Sequence, residues 1–247
     1  MPTFATPYDQ VLSRKRKWTP VKVSQGKLVE GSEETIFRAL ALRHLELPVK
    51  DFLESALDRP LSNTRDKEAV VRALRSNQQD EANHDQALDY VVQAHGIDPR
   101  AEREAFKIRQ AWIDDPAHPI LKAAILERSV FFVLLPFFRF NGDLGIRTTA
   151  ADISRDEQTH VAIHSMVASE LGLKSTPSLN RLRRATVGWV MDKLQGQHEN
   201  KYLSSDFWLS QSDSLYERGK APGLSDTTRA RMPAFFEASN VDLPQYG

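Results

Sequence analysis

Cysteine is absent from the 247-residue chain, and that one omission removes disulfides, thiolate zinc sites, iron–sulfur clusters and cysteine nucleophiles together. Any metal this protein holds must be held by Asp, Glu and His. An excess of either charge is missing too, because 33 Lys and Arg balance 33 Asp and Glu. Nothing electrostatic therefore points to nucleic acid or an anionic membrane as the main partner. The first residues lack the apolar core of a signal peptide, which makes the cytoplasm the expected location. Only one stretch, Pro119–Phe140, is apolar enough to raise the question of a membrane span. It carries Lys122, Glu127, Arg128 and Arg139, and charges at such depths are costly in lipid. It reads as a buried central helix. The one local charge excess, Arg14-Lys15-Arg16-Lys17, reads as a solvated part of an N-terminal arm.

No convincing alternating strand pattern is present, whereas helical periodicity recurs. The spacing predicts helices over about Ser32–Leu57, Thr64–Ala94, Pro119–Phe140, Ile146–Leu171 and Ser178–Leu194, with stops at Gly96, Asn141-Gly142 and Gly172. A longer connection, about Ile97 to His118, is available to cross the bundle. These elements predict an all-α fold: an arm over 1–30, a four-helix bundle over 31–195, and a C-terminal extension and tail over 196–247. The extension includes a short apolar patch at Pro233–Phe236.

Residues three and four apart share a helix face, so the core-facing stripe of each helix can be read off. The stripes are Ala39, Leu42, Glu46, Val49, Leu53; Val70, Leu74, Asn77, Glu81, His84, Leu88, Val91; Ile120, Ala124, Glu127, Phe131, Leu134, Phe138; and Ile146, Ala150, Ile153, Glu157, His160, His164, Val167, Leu171. Each is apolar at both ends and carries a carboxylate near its middle. An isolated buried carboxylate costs several kcal/mol, by rough estimate, or takes up a proton. Four at one level would also repel one another. Divalent cations remove both objections by supplying opposite charge and filling the oxygen lone pairs.

One Glu-x-x-His is weak evidence. Here it occurs twice on an apolar seam, each time after an aspartate: Asp80-Glu81-Ala82-Asn83-His84 and Asp156-Glu157-Gln158-Thr159-His160. Gly142 lies midway between Glu127 and Glu157, and Ser62-Asn63 lies midway between Glu46 and Glu81. Folding back at these turns brings the acidic positions level. The expected ligands of two metal ions are Glu46, Glu81, His84, Glu127, Glu157 and His160. Glu34 and Glu54 are alternatives to Glu46, although their helical faces carry Arg38 or Lys50, and Pro48 is placed to kink the helix near Glu46. Asp80 and Asp156 are placed to accept the second N–H of a metal-bound His on the facing helix. His164, one turn beyond His160, reads as an extra ligand, a proton relay or a satisfied core histidine.

One Glu from each of two helices plus Glu-x-x-His from each of two others is the ligand pattern of ferritin-like carboxylate proteins. Within that superfamily, Glu127-Arg128-Ser129-Val130-Phe131-Phe132 and Ile153-Ser154-Arg155-Asp156-Glu157-Gln158-Thr159-His160 resemble the small subunit of class I ribonucleotide reductase. The resemblance is good over about Leu126–Leu171, recognisable around Glu81 and His84, and weak elsewhere. It implies an Fe/Fe, Mn/Fe or Mn/Mn centre that activates dioxygen, Phe131 beside the metals, a homodimer, and a C-terminal tail that docks on a large reductase subunit. Tyr246, within Asn240–Gly247, would be the tail tyrosine. In radical-storing members a tyrosine stands four residues after the first metal-binding His; here that residue is Leu88, which excludes a stable tyrosyl radical at the usual place. Two other functions follow from the same residues. One is a stand-alone oxygenase or oxidase, with Phe131, Phe132, Leu135, Phe137 and Phe138 walling a pocket for an apolar substrate. The other is a non-enzymatic iron-binding bundle.

Overall fold

The twin motifs lie on the two longest helices. In the computed structural model, which describes residues 4–194 and 199–220, all regular structure among the described residues is helical. Helix α4 spans Lys67–His95 and helix α8 spans Leu144–Glu170. Each start is capped by an aspartate that accepts a backbone N–H three residues on, Asp66 from Ala69 and Asp143 from Ile146, satisfying one of the orphan donors of a first turn. Gly96 ends α4 at φ 85°, and Gly172 follows α8 at φ 64°, conformations glycine adopts without steric penalty.

The remaining elements are α1 (Pro7–Leu12), α2 (Glu33–Ala41), α3 (Glu46–Leu57), α5 (Pro99–Asp114), α6 (Pro119–Leu126), α7 (Phe132–Asn141), α9 (Pro177–Met191) and α10 (Ser205–Lys220). Helix α3 packs on α4, α4 on α8, α8 on both α6 and α7, and α6 back on α3. The ring thus closed is where the four stripes meet. Every residue of the stripes on α2–α3 and α4 is buried.

The expected helix over Ser32–Leu57 is interrupted. A 3-10 turn at Leu42–Leu45 separates α2 from α3. Pro48 has no N–H for the carbonyl of His44, and its ring crowds that carbonyl. The tighter turn upstream absorbs the conflict and leaves Glu46 as the first residue of α3. The expected helix over Pro119–Phe140 is likewise divided, by a π-helical segment at Glu127–Phe131. Pro136 imposes the same conflict on the Phe132 carbonyl, next to this wide turn, and π segments are frequent at functional sites. Gly142 closes the turn into α8. A Cβ there would lie 2.4 Å from Ile146 Cγ2 and 2.6 Å from the Phe138 carbonyl oxygen, so the approach excludes any side chain.

Two sequence expectations are corrected. The connection between the second and third predicted helices is itself a helix, α5, opened by Asp98 as N-cap with Pro99 in its first turn. It packs on α2 and α9, with Trp112 fully buried and its indole N–H donating to Thr186 at 3.0 Å. The buried Lys122 ammonium closes its far end by donating to the carbonyls of Trp112, Ile113 and Asp115 at 2.7–3.0 Å. Nor is the basic run simply a solvated tail. Arg14, Arg16 and Lys17 are exposed, but Lys15 pairs with Asp80 and donates to the Ser76 carbonyl and hydroxyl. Arg16 pairs with Asp152. Helix α1 packs on α4 and α8 with Tyr8 and Val11 buried. Further along, the Val29 amide donates to the Asn141 carbonyl at 3.1 Å. The arm is a strap along the two motif helices. No described helix is long and apolar enough to cross a membrane. Pro233–Phe236 and Tyr246 lie outside the described residues.

Candidate metal centre

Glu46, Glu81, His84 and Glu157 form one group of side chains able to hold a cation, and Glu81, Glu127 and His160 form a second. Within each group the ligand atoms lie within 4.8 Å of one another, and all six residues are buried. Glu81 belongs to both. Its Oε2 is 3.6 Å from Nδ1 of His84, and its Oε1 is 3.1 Å from Nδ1 of His160. Glu157 turns one oxygen, Oε1, toward both imidazoles, at 3.3 Å from His84 and 3.7 Å from His160. Glu46 Oε2 is 3.7 Å from His84 Nδ1, and Glu127 Oε1 is 3.6 Å from His160 Nδ1. The two rings stand with centroids 5.5 Å apart. The exposed Glu34 and Glu54 are not part of either group, and Glu34 pairs with Arg38 and Lys193 instead.

The donor atoms face the cluster without pairing. Glu46 Oε2, both oxygens of Glu81 and of Glu157, Glu127 Oε1 and the Nδ1 atoms of His84 and His160 are buried with no hydrogen-bond partner. Leaving one such polar group unsatisfied costs about 1–3 kcal/mol, and more when it is charged. Eight orphaned atoms converging on one place have a common remedy. Cations between them would engage every one, and carboxylate plus imidazole is a donor set suited to divalent iron or manganese.

The outer nitrogens are held from behind, crosswise. His84 Nε2 lies 3.3 Å from Asp156 Oδ2, and His160 Nε2 lies 2.9 Å from Asp80 Oδ2. A carboxylate only accepts, so each Nε2 carries a proton toward its aspartate, and Nδ1 is the nitrogen turned inward, whose lone pair a cation would take once the proton there is displaced. The two aspartates have different second partners: the Trp18 indole N–H donates to Asp156 at 2.6 Å, whereas the Lys15 ammonium pairs with Asp80.

The metal-free electrostatics reflect crowding. Burial, reinforced by the charge of Glu127, pushes Glu157 up to about 7. Burial also holds Glu46 well above the ordinary carboxylate range, with repulsion from Glu81 and Glu157 adding to it. For Glu81 burial acts upward, but the flanking His160 and His84 outweigh it and hold the group below the usual range. Burial would lower both imidazoles; the acids around them prevail, so His84 and His160 lie well above the ordinary histidine value. Burial pushes Asp156 upward, yet His84 and Trp18 hold it down.

His164 joins neither group. Its Nδ1 is 2.5 Å from Glu127 Oε2, and its Nε2 is 3.2 Å from Asn77 Nδ2. Phe131 is buried in the π segment, one turn after Glu127. Leu88 is buried on α4, and Tyr90 faces elsewhere, its hydroxyl accepting from Gln86 at 2.9 Å. Lys15 and Trp18 carry no ligand spacing of their own in the sequence. The one available signal was an aromatic side chain set directly after a basic run.

No protein-family model, curated protein or solved structure matches the chain.

Proposed function

We propose that this protein is a dinuclear-metal oxidoreductase of ferritin-like architecture that activates dioxygen with a pair of iron ions, a pair of manganese ions, or one of each. The observation that supports this most strongly is the pair of buried ligand groups sharing Glu81, with each imidazole oriented by an aspartate from the opposite motif. Glu81 presents one oxygen to each half of the cluster, so it would contribute to holding both ions.

When bound, such ions supply the electrons that reduce dioxygen. The chain's residues do the rest. Glu46, Glu81, His84 and Glu157 would hold one ion, and Glu81, Glu127 and His160 the other. Asp156 and Asp80 keep the Nε2 protons in place and prevent the rings from rotating. The surrounding stripe residues, among them Leu74, Leu88, Ile153 and Val167, are buried and keep bulk water from the cluster. The closest reading is a subunit like the small one of ribonucleotide reductase, working without the usual radical tyrosine, since Leu88 stands in its place. The phenylalanines offered as pocket walls for a stand-alone oxygenase include Phe137, which packs edge-on against Trp208 and beside Phe138, as core residues do. A homodimer and docking of the terminal tail with Tyr246 on a large reductase subunit belong to the same reading.

The test is anaerobic loading with Fe(II), or with Mn(II) and Fe(II), followed by admission of oxygen. Rapid oxygen uptake in stoichiometric ratio to the chain, lost in Glu81→Ala with Glu157→Ala, is expected. Loaded protein that remains ferrous in air would reject the proposal.

A further inference from the structure

One buried side chain is aimed at the cluster without joining it. His164 and Glu127 are both fully buried, and their Nδ1 and Oε2 atoms are 2.5 Å apart. A carboxylate oxygen only accepts, so the proton is on Nδ1, and Nε2 then carries a lone pair. Facing that lone pair at 3.2 Å is the amide nitrogen of Asn77, which is also fully buried. The opposite amide orientation would set oxygen against lone pair. The hydrogen bonds therefore run in one direction, from Asn77 N–H to His164 Nε2 and from His164 Nδ1–H to Glu127 Oε2.

We propose that His164 is a positioning residue that reserves Oε2 of Glu127, so that Glu127 offers a cation only Oε1 and leaves a coordination position open for a small exogenous anion or oxygen species. The inference rests on the di-metal reading above. Glu81 and Glu157 each have both oxygens without a hydrogen-bond partner, whereas Glu127 has only Oε1 free. The Glu127 group also contains one residue fewer than the Glu46 group. Of the two places for a cation, the one beside Glu127 is thus less crowded, and its own carboxylate has one oxygen already engaged by His164. Glu127 opens the π segment, whose wide turn gives its backbone room to shift if the tether is cut.

The experiment loads full-length wild type, His164→Leu and His164→Asn with Fe(II), counts iron per chain, and titrates azide as the anionic probe after oxidation. An asparagine amide can replace the Nδ1–H donor; leucine cannot. Wild type should hold both irons and bind azide. His164→Leu should keep both irons and bind azide about tenfold or more weakly, the range in which loss of an outer-shell partner acts. His164→Asn should recover most of the affinity. Unchanged azide affinity in His164→Leu with both irons present overturns the proposal. So does loss of one iron in both variants, which would make His164 a ligand. If His164→Leu does not fold, Asn77→Leu removes the donor that fixes the tautomer and should weaken azide in the same direction; no change there is equally fatal. Wild type without iron would defeat the di-metal reading itself, an outcome distinct from all of these.

Discussion

Asp156 on α8 supports His84 on α4: Oδ2 of the one lies 3.3 Å from Nε2 of the other. The mirror relationship joins Asp80 to His160 at 2.9 Å. Each Asp-Glu-x-x-His motif thus lends its aspartate to the other motif's histidine, and neither half of the cluster is oriented by its own helix alone. Asp156→Ala should weaken the cation held with His84 by about 10- to 100-fold, and Asp80→Ala should do the same for the cation held with His160. Chelator competition measures both. Wild-type affinity in both variants would mean the aspartates orient nothing.

The N-terminal strap should protect the cluster. Lys15 and Trp18 cover the two supporting aspartates, and α1 buries Tyr8 and Val11 against the motif helices. Deleting residues 1–18 should lower the melting temperature and speed the stripping of metal by a chelator. Trp18→Phe keeps an aromatic ring but loses the fused pyrrole with its N–H, whose bond to the Asp156 carboxylate is worth roughly 1.5–3 kcal/mol. A truncated protein that releases metal at the wild-type rate would show that the strap plays no part at the cluster.

Metal binding should strengthen as the pH rises through about 7. Glu157 sits near 7, and Glu46, His84 and His160 are all raised, so the metal-free cluster retains protons that cations must displace. The sign for folding follows. A raised group contributes stability below its unfolded value, 4.5 for Glu157, and loses it as the pH climbs through the folded value. Metal-free protein should therefore become less stable between mildly acidic conditions and pH 8, and loaded protein should not share that loss. Titration calorimetry at pH 6.5 in buffers of different ionisation enthalpy should register proton release with each cation. Equal heats in all buffers would contradict this.

Gly142→Ala should destabilise the fold by about 1–3 kcal/mol, because the added Cβ meets Ile146 and the Phe138 carbonyl at well under contact distance. Thermal denaturation measures it. A neutral result would mean that the α7–α8 turn relaxes freely.

The buried cluster was legible because buried charge is conspicuous: a Glu at the centre of each apolar stripe calls for a partner, and the Asp-Glu-x-x-His repeat put a candidate ligand and its support at fixed offsets. Helical period told which residues share a face, and on α2–α3 and α4 every one of those residues is buried, whereas α7 is buried on nearly all sides and its period singles out no face. What escaped was set by contacts distant in sequence. Lys15 reaches Asp80, and Trp18 reaches Asp156, from an arm with no periodic pattern to betray it. Helix α5 was hidden by its charged composition, although Asp98-Pro99 is a helix-start signal. The orientation of His164 depended on Asn77 and Glu127, which stand on two other helices and could not be read from the spacing on α8.

The most direct test of the central claim is a count of cations per chain. Wild-type protein equilibrated with Mn(II) or Fe(II) should bind about two, one for each group of converging side chains, and Glu81→Ala with Glu157→Ala should abolish most of that binding while the helix content stays the same. Wild type that binds no cation at micromolar concentrations, or a double variant that binds the full complement, would contradict it.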